Sequence, residues 1–180
     1  MRKNVTDDVF FEIAEHLGVL RESPSGWAKE LNRIAWNGGQ IKFDIREWNP
    51  EHDRMARGIT LTDEEMQNLY QYFCHWKKSD HSLDKFSKKS PMQRVGGAIY
   101  VDIYRTVCRL SKANDGWSKD LKVVSWNGED VKYDIRSWSP DNERMTRGLK
   151  FTEEEMQKIC DLYWEHEKDR LQKEIFEEAE

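Results

Sequence analysis

The stretch Ile41-Lys-Phe-Asp-Ile-Arg-Glu-Trp48 decides the fold. Its apolar residues Ile41, Phe43 and Ile45 alternate with Lys42, Asp44, Arg46 and Trp48, and an extended chain sends two such sets to opposite faces of a sheet. Val131, Tyr133 and Ile135 alternate in the same way with Lys132, Asp134, Arg136 and Trp138, shifted by 90 residues. The alignment holds without a gap from Gly26–Gly58 onto Gly116–Gly148, with 17 of 33 positions identical. Two copies at this spacing read as a tandem pair of like domains and not as a solenoid.

Working outward from that strand, each copy has the same order of signals. Upstream, Asn37-Gly38 and Asn127-Gly128 are hairpin turns, because both residue types tolerate positive φ. Before them lies a second strand, from Trp27 to Trp36 or Trp117 to Trp126. A first strand precedes it, with Phe11, Ile13, Leu17 and Val19, or Val101, Ile103 and Val107, expected on one side. Downstream of Pro50 or Pro140 come a polar connection and a short fourth strand, Arg57–Leu61 or Arg147–Phe151. A helix closes each copy. Thr62 with Glu65, and Thr152 with Glu155, have capping-box spacing. Met66, Leu69, Tyr70 and Phe73, matched by Met156, Ile159, Cys160 and Tyr163, form the stripe expected to pack on the sheet.

The fold expected is therefore α+β, two β-β-β-β-α units with an antiparallel sheet and a C-terminal helix. Residues 8–76 and 98–168 are the units, 77–97 a Lys-rich linker with Pro91 and Gly96-Gly97, and 169–180 a charged tail or helix extension. The 180 residues include eight Trp, carry a formal net charge of -5, and have a mean hydropathy of -0.93. The charge argues against whole-molecule attraction to phosphate, so a nucleic-acid function has to use a local surface. No apolar run approaches the roughly 18 residues of a spanning helix, and Met1-Arg2-Lys3-Asn4 leads into acids and not into a signal-peptide core. Cys74, Cys108 and Cys160 form no CxxC pair. A reducing, cytoplasmic setting and no membrane association are expected.

The face carrying Lys42, Arg46 and Trp48 is the candidate working surface, because a sheet covered by a helix on one side leaves its other side free. Cations that track a backbone, interleaved with rings on which bases stack, suit single-stranded nucleic acid. Trp27, Lys29 and Arg57 extend the surface, and the second copy supplies Trp117, Lys119 and Arg147. The competing reading is structural: indoles on strands pack, and Asp44 neutralises its cationic neighbours. No catalytic constellation stands out: P-loop, HExxH and GxSxG motifs are missing, and His16, His52, His75, His81 and His166 are scattered. Glu51 and Asp53 lie beside Arg54 and Arg57, which reads as a charge-balanced loop. No catalytic residue, metal or cofactor is expected. A protein-interaction module is the alternative function class, and salt dependence separates the two.

These residues resemble a known family. The run Ile41–Trp48, then Pro50-Glu51, Arg57-Gly-Ile-Thr-Leu61 and a helix with an acidic start is similar to the single-stranded-DNA-binding domain of the transcriptional coactivators called positive cofactor 4. Gly26-Trp27-x-Lys29-Glu30-Leu31-Asn32-Arg33 and the Trp-Asn signature resemble its small bacterial YdbC-type members. The resemblance covers about 65 residues per copy. It implies a curved four-stranded sheet plus helix, pairing of two units through their helices, and a channel for single-stranded DNA with little sequence preference. Here both units sit in one chain, which implies a monomer with internal pseudo-two-fold symmetry, an intramolecular pseudo-dimer.

Carried over by position, the nucleic-acid contacts are Trp27, Lys29, Lys42, Arg46, Trp48 and Arg57, with Trp117, Lys119, Lys132, Arg136, Trp138 and Arg147 in the second unit. Trp36 and Trp126 rank below them. The copies differ where Asn32-Arg33 becomes Lys122-Val123 and Glu47 becomes Ser137, so one half is open to binding more strongly. The partner implied is single-stranded DNA, with RNA as the alternative polymer, in a bacterial nucleoid-associated or viral setting. Transcription, replication and repair all remain open as the process served.

Overall fold

The computed structural model describes residues 9–86, 93–95 and 99–177; Pro91, Gly96-Gly97 and the last three residues, all read above as linker or tail, lie outside the described residues. Among the described residues no helix is long and apolar enough to cross a membrane. Strands β1 (Phe11–Glu22), β2 (Ala28–Trp36), β3 (Ile41–Trp48) and β4 (Met55–Leu61) form an antiparallel sheet in chain order. After helix α1 (Asp63–Lys78) and one 3-10 turn (Leu83–Lys85), a second sheet follows. It runs β5 (Gln93–Val95), β6 (Ile99–Lys112), β7 (Ser118–Trp126), β8 (Lys132–Trp138) and β9 (Leu149–Phe151), and α2 (Glu153–Glu177) ends the chain. The second sheet thus has a fifth strand. Residues 93–95, inside the expected linker, pair with Val101–Ile99 at the edge of β6.

The registers correspond position for position: Leu31 faces Ile45 and Asn32 faces Asp44, while Leu121 faces Ile135 and Lys122 faces Asp134. The hairpins turn on Asn37 (φ 52) with Gly38 and Asn127 (φ 50) with Gly128. The asparagine has a second role. Asn37 Oδ1 accepts from the Phe10 backbone N–H and Asn127 Oδ1 from that of Tyr100, which ties each turn to the start of the first strand.

The expected alternation of the first strand fails for a local reason. Register shifts fall between Ile13 and Glu15, His16 and Gly18, and Val19 and Arg21, and recur at equivalent points of β6. Each inserted residue reverses the side taken by those that follow. Consequently Val19, expected inside, is 42% exposed, whereas its neighbour Leu20 is buried.

The compact units are not the sequence copies. One unit holds residues up to Thr60 with Gln157 onward; the other holds Leu61–Met156. Each sheet is therefore covered by the helix that follows the other sheet. In the first unit the Phe43 ring lies 5.6 Å from Tyr163 and 5.7 Å from His166, and Lys158 donates to the Leu20 carbonyl. Gly18 leaves room for this contact, since a Cβ there would meet Leu162 at 2.7 Å. In the second unit Phe73 packs edge-on against Tyr133, Trp76 Nε1 donates to the Tyr133 hydroxyl, and Asn68 donates to the Leu110 carbonyl. The helix stripes read from the sequence do pack on apolar sheet faces, each on the other copy's sheet.

Both capping boxes form: the Thr62 and Thr152 hydroxyls accept from the N–H of Glu65 and Glu155, whose carboxylates accept from the threonine N–H in return. Such a cap is worth about 1 kcal/mol. Glu65 does more, because Ser111 and Lys119 also donate to it, at 2.6 and 2.8 Å. Burial alone pushes the Glu65 carboxyl up, but the bonds from Lys119, Ser111 and the Thr62 backbone outweigh it and hold it below the usual carboxylate range.

Candidate nucleic-acid interface

Residues paired directly across antiparallel strands share a face, so the registers assign the candidates on β2, β3, β7 and β8. Glu30 pairs with Arg46, Asn32 with Asp44, Ile34 with Lys42 and Ala28 with Trp48; this is the face away from the helix. Lys42, Arg46 and Trp48 are thus brought together, as are Lys132, Arg136 and Trp138 in the second sheet. Lys29 pairs with Glu47 and Lys119 with Ser137, on the helix-covered side. Lys29 is 7% exposed, and Lys119 is spent on Glu65. Both lysines lie on the helix-covered side of their sheets, so the expectation that they extend the far face is corrected.

The far face is organised around a buried carboxylate. Asp44 is 0% exposed, and Arg46 grips it with two bonds, Nε at 2.5 Å and Nη2 at 2.7 Å. Trp36 Nε1 and the Thr60 hydroxyl also donate to it. The Arg46 guanidinium lies 4.2 Å from the Trp36 ring. Asp134, Arg136 and Trp126 repeat the arrangement, with bonds of 2.6 and 2.6 Å and a ring distance of 4.3 Å. Burial pushes the Asp134 carboxyl up, against the pull of Arg136 and Trp126.

Glycine makes room for the arginine. A Cβ at Gly58 would meet Arg46 Cβ at 2.6 Å, and one at Gly148 would meet Arg136 Cβ at 2.4 Å and the Ile135 carbonyl at 2.3 Å. This is the physical content of the shared Arg-Gly dipeptide in the fourth strand. Each Asp-Arg pair, two residues apart on one strand, leaves its arginine only 13% or 12% exposed and committed to the aspartate.

Trp48 and Trp138 overturn the expectation of exposed indoles: both are 0% exposed. Phe11 packs 4.9 Å from Trp48, and Trp126 stacks on Trp138 at 6.0 Å in a cluster with Val101 and Val124. The strand-end tryptophans are core to the far face, a small second core beneath the polar layer. Among the described residues their indole N–H groups are buried with no hydrogen-bond partner, in both halves alike.

What remains at the surface is a rim. Arg57 and Arg147 are exposed, Lys42 and Lys132 half-buried, and Trp27 and Trp117 half-buried. Among the described residues none of these four cations forms a salt bridge. Arg54 and Arg144 join them from the connection after the third strand, and Arg144 lies 5.7 Å from the Trp117 ring. The sequence reads Arg54 as loop charge balance and does not single out Arg144. Their Pro-x-x-x-Arg-Met-x-Arg-Gly context, common to both copies, was the available signal.

That connection is rigidly built: Asn49 bonds Glu51 and Asp53 with its amide nitrogen and the Arg54 N–H with its oxygen, and Ser139 makes the corresponding bonds to Asp141 and Arg144. Glu51 and Asp53 are thereby committed to the loop. Among the described residues no three His, Cys, Asp or Glu gather as a metal site. The arrangement offers fixed cations and flat rings.

Residues 23–72 match the family described as Transcriptional Coactivator p15 (PC4). An uncharacterized protein of Treponema pallidum (strain Nichols) is 43% identical over 65 residues, which is 36% of this chain and 76% of that protein. Through this PC4-like domain the chain belongs to the Transcriptional Coactivator p15 (PC4) family.

Proposed function

We propose that the protein binds single-stranded DNA, without catalysis and with little sequence preference, in transcription, replication or repair. The observation that carries this reading is the far face, where an aspartate-clamped arginine and a half-buried lysine recur at the same positions of two sheets, together with surface indoles and arginines at matching places of both copies. Phosphates need cations that are not already paired, and bases need rings at the surface. Trp27, Lys42, Arg57, Trp117, Lys132 and Arg147 supply contacts, whereas Arg46 and Arg136, held by Asp44 and Asp134, and Trp48 and Trp138 shape the surface. Arg54 and Arg144 are added to the contact set.

The chain acts as a tandem duplication of a YdbC-type domain, residues 8–76 and 98–168 joined by 77–97, functioning as an intramolecular pseudo-dimer in the cytoplasm. Covalent linkage replaces a dissociable partner by one at high effective concentration, so binding is independent of protein dilution. The exchange of helices between the two sheets supports this arrangement, because neither copy then completes its core alone.

The test is an anisotropy titration of labelled oligo-dT at about 50 and about 200 mM salt, with duplex DNA and oligo-U as competitors. Tight, salt-sensitive binding that duplex fails to compete is expected. Preference for oligo-U redirects the assignment to RNA. No binding at low salt refutes the proposal and favours a protein-interaction module.

A further inference from the structure

We propose that the two far faces are unequal and that the second sheet's face is the principal strand-binding surface; this rests on the single-stranded-DNA reading above. The two faces share Lys42 or Lys132, the Asp-Arg clamp, and an acid at Glu30 or Asp120. Four equivalent positions differ toward positive charge, while Gly39 and Gln40 become Glu129 and Asp130 in the opposite direction. Val19 opposite Glu30 becomes Arg109 opposite Asp120, and Glu22 opposite Ala28 becomes Lys112 opposite Ser118. Asn32 opposite Asp44 becomes Lys122 opposite Asp134. Thr60, which donates to Asp44, becomes Lys150, paired with Asp134.

At those four positions the second face has four more cations and one acid fewer, a gain that Glu129, in contact with Lys150, offsets in part. Lys122 is buried and bonded to Asn142, with Asp120 3.4 Å away, and Lys150 contacts Glu129 at 2.7 Å, so those two raise the local potential more than they offer a contact. Arg109 and Lys112 are exposed at the strand's end and able to reach a phosphate, although Arg109 also touches Asp120 at 3.3 Å. In the first face the corresponding region holds buried Glu30 with His16 and His52 around it, groups that carry a full positive charge only when protonated. A polyanion placed on the two surfaces therefore meets a net attractive field on the second and an acid-balanced one on the first.

The test exchanges only exposed positions. Val19→Arg with Glu22→Lys brings the second face's charges to the first, and Arg109→Val with Lys112→Glu does the reverse, each in the full chain. The thermal melting curve of each variant checks that the fold is kept. Oligo-dT affinity is read at about 50 and about 200 mM salt. The second-face variant is expected to bind about tenfold more weakly with a shallower salt slope, since each phosphate contact to a single strand contributes about 0.7 to that slope. The first-face variant is expected to gain affinity severalfold. Equal losses from Arg57→Ala and Arg147→Ala, together with no loss in the second-face variant, overturn the inequality while leaving strand binding intact. Failure of the unmodified protein to bind oligo-dT at low salt instead removes the reading on which the inequality rests.

Discussion

The far faces of the two sheets use one architecture with two kinds of interior. In the first, the buried Glu30 carboxylate is shared by His52 Nε2 at 3.0 Å and Asn32 Nδ2 at 3.0 Å, while His16 Nδ1 bonds Asn32 Oδ1 at 2.7 Å. In the second, Lys122 takes the place of Asn32, its ammonium bonded to Asn142 and Thr106 and lying 5.0 Å from the Trp138 ring. Burial pushes that ammonium below the ordinary lysine range, and Asp120 pulls it back. An acid buried among imidazole and amide groups is thus exchanged for a buried ion pair. Backbone register and the Asp-Arg clamp are unchanged, so the fold tolerates either solution and the difference is left to act on the surface potential.

The largest expected effects test whether the shared part is truly shared. Trp48→Ala and Trp138→Ala are each expected to cost about 3–5 kcal/mol in denaturant unfolding, since both indoles are fully enclosed. A cost below about 1 kcal/mol for one of them breaks the equivalence of the two faces. Next comes the exchanged interior. Lys122→Ala leaves Asp120 with a single exposed partner, Arg109, and is expected to cost about 3 kcal/mol. His52→Ala removes a part-exposed donor from Glu30 and is expected to cost about 1 kcal/mol.

Glu65 sharpens the comparison through pH. Its native carboxyl titrates below the usual range, so on acidification the unfolded chain takes up the proton first and the native state loses ground. The stabilisation is full above the ordinary carboxylate pKa and is lost as pH falls from there toward the native value. Glu65→Gln is expected to cost about 2 kcal/mol at neutral pH and to flatten this acid limb of a stability-pH curve. An unchanged limb assigns it to other carboxylates. Smallest in stability are the rim arginines. Arg57→Ala and Arg147→Ala are expected to shift unfolding by less than about 0.5 kcal/mol while lowering oligo-dT affinity, Arg147→Ala the more.

Much was legible in the sequence because it is local. Alternation in Ile41–Trp48 located β3, Asn-Gly located the hairpins, and Thr-x-x-Glu located both helix starts, each signal acting within four residues of its effect. The shared face of Lys42 and Arg46 followed from the same period of two. Alternation tells which side a residue takes but not what fills that side. Trp48 was assigned to the correct face and the wrong depth, because the aromatic residues that enclose it come from β1 and from the loop after β3. Lys29 was placed on the wrong face because its side chain is defined by a register across strands that no local pattern reports.

The sequence by itself determined the strands, their turns and the caps of two near-duplicate copies. Only the tertiary structure decided which helix covers which sheet, that β1 and β6 bulge three times, and that the conspicuous tryptophans hold the far face up from beneath. Those outcomes depend on the enclosed volume left when separate parts of the chain meet, and burial is set by contacts between residues far apart in sequence.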